Sequence, residues 1–100
     1  MTEQRNAILA EIEEIARQAG AEHVAKHRPI IDQYEGRLPE DVNAAIERSN
    51  TAFFNRCVTS MRETGAKSGA RKVYMRGLHA GMKQGTSALF LPYLEAKGSA

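Results

Sequence analysis

The sequence predicts an all-α protein, a small single-domain helical bundle of three main helices plus short helical segments. Apolar residues recur at three- and four-residue spacing through long stretches, and no alternating strand pattern of useful length interrupts them. Pro29, Gly36, Pro39 and Gly65 punctuate the chain where those stretches stop. At 100 residues the chain suits one domain, residues 1–100, with no internal repeat or low-complexity tract.

The first helix opens at Thr2, a suitable N-cap, with Glu3 in the first turn. Ile8, Ile12, Ile15 and Ala19 recur at helical spacing, flanked by Leu9 and Ala16, while Glu11, Glu13, Glu14 and Arg17 take the other side. Gly20 marks a pause, and residues 21–27 continue the helix until Pro29 turns Arg28 out of the helical region. A short helix from Pro29 to Tyr34 follows, with Ile30, Ile31 and Tyr34 as its buried residues and Gly36 at its end.

The second long helix starts at Pro39, with Glu40 and Asp41 favourable against its dipole. Val42, Ile46, Phe53, Cys57 and Met61 form its apolar stripe, widened by Phe54 and Val58, and Thr64 and Gly65 end it. The brief connection from Gly65 to Gly69 turns the next helix back antiparallel. That helix, residues 70–84, is rich in small residues. Gly77, Gly81 and Gly85 drift around one side, and each interior glycine costs about 1 kcal/mol relative to alanine. Close approach of another backbone is the compensation expected. Residues 88–94 are an apolar run that either docks on the bundle or forms an interface, and residues 97–100 are expected to fray.

Composition narrows the class of function. A hydrophobic fraction of 42% with 26% charged residues is ordinary for a globular chain and argues against disorder. The single cysteine, Cys57, excludes an internal disulfide and fits a reducing compartment. No apolar run approaches the roughly 20 residues of a membrane span, and the first residues lack a signal-peptide pattern, so a cytoplasmic protein is expected.

Charge is unevenly divided. Residues 1–63 hold 8 basic and 11 acidic side chains, a net of −3, whereas residues 64–94 hold 5 basic and no acidic ones, a net of +5. Lys67, Arg71, Lys72, Arg76, His79 and Lys83 are the candidate contacts for a partner. At about 100° per residue, Lys72, Arg76, His79 and Lys83 share one helix face. Such a line usually serves as a solvated face, and the absence of local counter-charge adds weight to the alternative, a docking surface for an anionic partner.

Catalytic and metal motifs are weak. His23 and His27 stand four apart, a spacing compatible with one metal ion, but a zinc site needs further ligands, and a structural pair on the apolar side is the plainer reading. Cys57 sits mid-stripe as a small hydrophobe. Residues 65–69 lack the preceding strand and first glycine of a phosphate-binding loop. Asn50 lies on the apolar stripe as a buried amide that fixes helix register. No cofactor and no metal are expected, and an enzyme is the least favoured class.

Arg76, Gly77, Ala80, Gly81, Gly85 and Pro92-Tyr93 together resemble the ribosome modulation factor family, small helical proteins that bind ribosomal RNA. The resemblance covers about a fifth of the chain, with Leu91 where that family often carries cysteine, and it implies an RNA partner. The favoured expectation is a non-enzymatic binding protein. It would be an inhibitor or adaptor that docks through the basic helix face onto a larger nucleic-acid-handling protein or ribonucleoprotein complex with an anionic surface. Phage and mobile-element inhibitors of the anti-CRISPR type exemplify the class. Direct DNA or RNA binding by a small regulator, with dimerisation presenting two basic faces, is the alternative.

Overall fold

A computed structural model describes residues 2–98, with side chains described for residues 2–95. Four helices follow one another: α1 (Thr2–Ala25), α2 (Arg28–Gln33), α3 (Glu40–Glu63) and α4 (Ser68–Gly98). The three long helices are those expected, but two differ in extent. α1 runs unbroken through Gly20, and α4 continues to Gly98, so the apolar 88–94 run and Pro92 lie inside one 31-residue helix. Of the tail expected to fray, Lys97 and Gly98 complete α4; Ser99 and Ala100 lie outside the described residues.

Local chemistry sets the ends. The Pro39 carbonyl accepts the first turn's bond from the Asn43 amide at 2.9 Å, with Glu40 and Asp41 against the positive end of α3. At the other end the amides of Ala66 and Gly65 return to the carbonyls of Met61 and Arg62, closing a Schellman motif that needs the left-handed backbone of Gly65, φ +75°. α2 ends in the same motif, but there Glu35 takes the left-handed position at φ +52°. The expected glycine comes one residue later, because Gly36 lies against the ring of Tyr93, which leaves no space for a Cβ.

The α1–α4 pair dominates the packing. Gly69 lies by Arg5, Gly77 by Glu13 and Ala16, Gly81 by Arg17, and Gly85 by Ala21 and Val24, so the first and last helices run parallel in one constant register. A Cβ built on Gly81 would stand 2.7 Å from the carbonyl carbon of Arg17 and 2.9 Å from its Cα. Backbone rests on backbone, which explains the glycines that helix propensity disfavours. α3 packs antiparallel to both, placing Cys57 near Tyr74 and Phe54 beside Met82.

The fully buried apolar residues are Ala16, Val24, Ile31, Leu78 and Leu89. The stripe expected to be the core face of α1 is therefore corrected. Ile8 and Ile15 are 57% and 62% exposed, and the buried line is Ala16, Gly20, His23 and Val24. Small residues allow the close approach that isoleucine forbids. α3 has no fully buried residue; its stripe is half-covered. Of the residues expected to bury α2, only Ile31 is fully covered. The result is an open arrangement, with a radius of gyration of 16.2 Å where about 13 Å is usual for this length.

Candidate functional site

The outward face of α4 carries the charged line. Lys72, Arg76, His79 and Lys83 are all exposed, and the helix holds them on the side away from its glycine seam. Arg71 is half-buried, and Lys67, which precedes the helix, stands with Arg5 at the rim of a groove floored by Ile8, Leu9 and Ile12. Four of the six expected residues thus share one face, while Lys67 and Arg71 stand apart from it.

Arg76 requires a correction. Its guanidinium donates two hydrogen bonds to the Glu13 carboxylate, Nε to Oε1 at 3.1 Å and Nη2 to Oε2 at 2.7 Å. Arg76 holds the Glu13 carboxyl below its ordinary pKa, and Glu13 in turn raises that of Arg76. The counter-charge missing from residues 64–94 is supplied across the α1–α4 seam, so Arg76 is a neutralised member of the line. Lys72 and Lys83 have no such partner: among the described residues no carboxylate stands within ion-pair distance of either.

The same helix then turns apolar. Leu89 is buried and Phe90 half-buried, whereas Leu91 and Leu94 are 51% and 63% exposed. The C-terminal run is therefore part core and part surface. Lys83 is shared by two shallow depressions. One, of about 600 Å³, lies between α3 and α4, with Phe54 and Met82 as its apolar lining and Asn50, His79 and Thr86 at its polar edge. The other runs along α4 from Ala80 past Lys83 and Ser87 to Leu91. α2 steadies this end of α4, since the Tyr93 hydroxyl donates to Asp32 Oδ1 at 2.6 Å.

The histidine pair occupies the junction of α1 and α3. The His23 ring stacks flat on Phe53 with centroids 4.1 Å apart and meets His27 edge-on at 5.5 Å. His27 Nε2 hydrogen-bonds Asn50 Oδ1 at 3.1 Å, so the amide on the α3 stripe is satisfied by a side chain from the turn between α1 and α2. His23 Nε2 is buried without a hydrogen-bond partner, and burial pushes this imidazole below its ordinary pKa, helped by the nearby charges of His27, Lys26 and Arg56. Among the described residues no group of three or more His, Cys, Asp or Glu side chains is placed to hold a metal ion. Half-buried Tyr74 turns from the basic line toward Cys57, and burial raises its hydroxyl pKa.

No protein-family model, curated protein or solved structure matches the chain. The glycines that carried the resemblance to ribosome modulation factor, Gly77, Gly81 and Gly85, face α1. No helix among the described residues is long and apolar enough to cross a membrane.

Proposed function

We propose that the chain is a non-enzymatic binding protein, an inhibitor or adaptor, whose outward α4 face docks on the anionic surface of a larger nucleic-acid-handling protein or ribonucleoprotein complex. The observation that carries this reading is the composite character of that face. Two lysines without counter-ions, Lys72 and Lys83, are followed on one rigid helix by the exposed side chains Leu91 and Leu94. Cations steer an acidic partner and fix its orientation, while apolar side chains supply the area that holds it. Nucleic acid alone gives little reason for two exposed leucines beside the lysines.

The chain also has surface to spare. It exposes 7168 Å², whereas a compact monomer of 11.0 kDa exposes about 5,600 Å². A standard interface takes about 800 Å² from each partner.

The test is quantitative affinity capture from the native host with the wild-type chain and with Lys72→Glu/Lys83→Glu. Both lysines are exposed, so the variant keeps its helical circular dichroism. A protein retained by the wild type and lost by the variant supports the proposal; identical captured sets refute it. Labelled DNA and RNA, titrated at low and moderate salt, separate the nucleic-acid alternative, for which steeply salt-dependent binding is required.

A further inference from the structure

The α1 isoleucines left outside the core form a seam of their own. Arg5, Ile8, Ile12, Ile15, Ala19 and Glu22 alternate three- and four-residue steps, the heptad spacing that keeps one stripe of a helix turned toward a partner helix. Ile8 and Ile15 are mostly exposed, Ile12 and Ala19 are half-buried, and Arg5 and Glu22 are exposed. Over most of its length α4 packs on a different side of α1, through Ala16, Gly20 and Val24, and only its first turn, at Gly69, comes close to Arg5 at one end of the seam. Among the described residues neither Arg5 nor Glu22 makes an ion pair or a side-chain hydrogen bond.

We propose that this seam joins two copies of the chain as an antiparallel α1–α1 pair about a twofold axis. Laid against itself in the opposite direction, the stripe finds its complement at every level in one register. Ile12 meets Ile15 of the second copy next to the axis. Ile8 meets Ala19, large against small. Arg5 meets Glu22, and the symmetry makes each pairing twice. A parallel pair would instead set Arg5 against Arg5 and Glu22 against Glu22, so charge selects the antiparallel arrangement.

Area agrees with this occupant. The surplus over a compact chain is about 1,500 Å², against the roughly 800 Å² that each partner contributes to a stable dimer. An isologous contact closes at two copies and does not propagate into filaments. It leaves Lys72 and Lys83 uncovered, and it stands independently of the α4 proposal.

Sedimentation equilibrium across a wide concentration range tests it. The wild type is expected at twice its 11.0 kDa chain mass at the upper concentrations. Ile15→Lys puts a charge next to the axis at a position exposed in the single chain, so helical content persists while the dissociation constant rises by about a hundredfold. Arg5→Glu and Glu22→Arg each weaken association, and the double variant Arg5→Glu/Glu22→Arg restores it. A wild type monomeric throughout overturns the proposal, as does an Ile15→Lys dimer as tight as wild type. A double variant no better than the singles overturns the antiparallel register. Lys72→Glu/Lys83→Glu remains dimeric, so loss of dimerisation and loss of partner capture are read separately.

Discussion

Replacing Gly81 by alanine sets two physical effects against each other. Helix propensity alone makes Gly81→Ala stabilising by about 1 kcal/mol, because alanine has less backbone freedom to lose. The structure gives the opposite sign. The new methyl would stand 2.7–2.9 Å from the carbonyl carbon and Cα of Arg17, whereas carbon atoms rest about 3.5–4.0 Å apart. Both sides of this contact are backbone, so no rotamer change relieves it and α1 must move away from α4 by about 1 Å. Overpacking of this kind costs about 3 kcal/mol when a whole helix contact is displaced. Subtracting the propensity gain leaves a net loss of about 2 kcal/mol, roughly 10 °C in Tm for a domain of this size. Gly69→Ala is the control. Its Cβ meets only the Arg5 guanidinium at 3.7 Å, so the variant is neutral or gains up to about 1 kcal/mol. Urea unfolding followed by far-UV circular dichroism measures both. A Gly81→Ala protein more stable than wild type would refute the backbone-on-backbone seam.

Acid should weaken the α1–α3 junction in a defined window. His23 binds its proton less readily in the fold than its ordinary 6.5, chiefly because it is buried, so the unfolded chain is protonated first. Its contribution is intact above pH 6.5, falls as pH drops through that value toward the lowered native one, and is constant below; each tenfold difference in proton affinity is worth about 1.4 kcal/mol. Tm measured from pH 7.5 to 5 should decline in the wild type and stay flatter in His23→Leu; equal slopes exclude His23 as the source. Glu14, held at about 2 by its hydrogen bonds with Arg17, acts in a separate window, its contribution being lost as pH falls below 4.5. Glu13→Gln releases Arg76 at little cost in stability, since the pair is on the surface, and is expected to strengthen capture through the proposed α4 face; unchanged or weaker capture counts against that face. Tyr93→Phe removes the bond to Asp32 and should lower the urea midpoint slightly in the same experiment, whereas no change would mean that this exposed bond contributes nothing.

The readable parts of the fold were those written in local chemistry. Pro39 and Gly65 mark the limits of α3 because a fixed φ and a left-handed φ are properties of single residues. The glycine spacing of α4 announced a close backbone neighbour, although not which one. What was hidden depended on partners far along the chain. The isoleucines of α1 are its most hydrophobic residues, yet Ala16 and Gly20 face α4, because shape rather than hydrophobicity governs a contact this close. Arg76 looked unpaired since its carboxylate, on Glu13, is 63 positions away. The helix expected over residues 70–84 continues through the apolar run and Pro92 to Gly98, with Tyr93 bonded to α2. The charge of Lys72 and Lys83 and the apolar character of Leu91 and Leu94 are properties of single residues, whereas their shared exposure depends on the unbroken length of α4.

Joining the first helix to the last has a consequence for biosynthesis. Glu13, Ala16 and Arg17 leave the ribosome early, but the residues that cover them, Gly77 and Gly81, are synthesised some sixty positions later. Through most of translation α1 has no mate, and α3, without a buried residue of its own, cannot stand in. Closure therefore waits for the far end of the chain, a non-local step slower than the zipping of neighbouring helices. A chain made only as far as Lys67 would hold three helices and lack the side of the interior that α4 supplies.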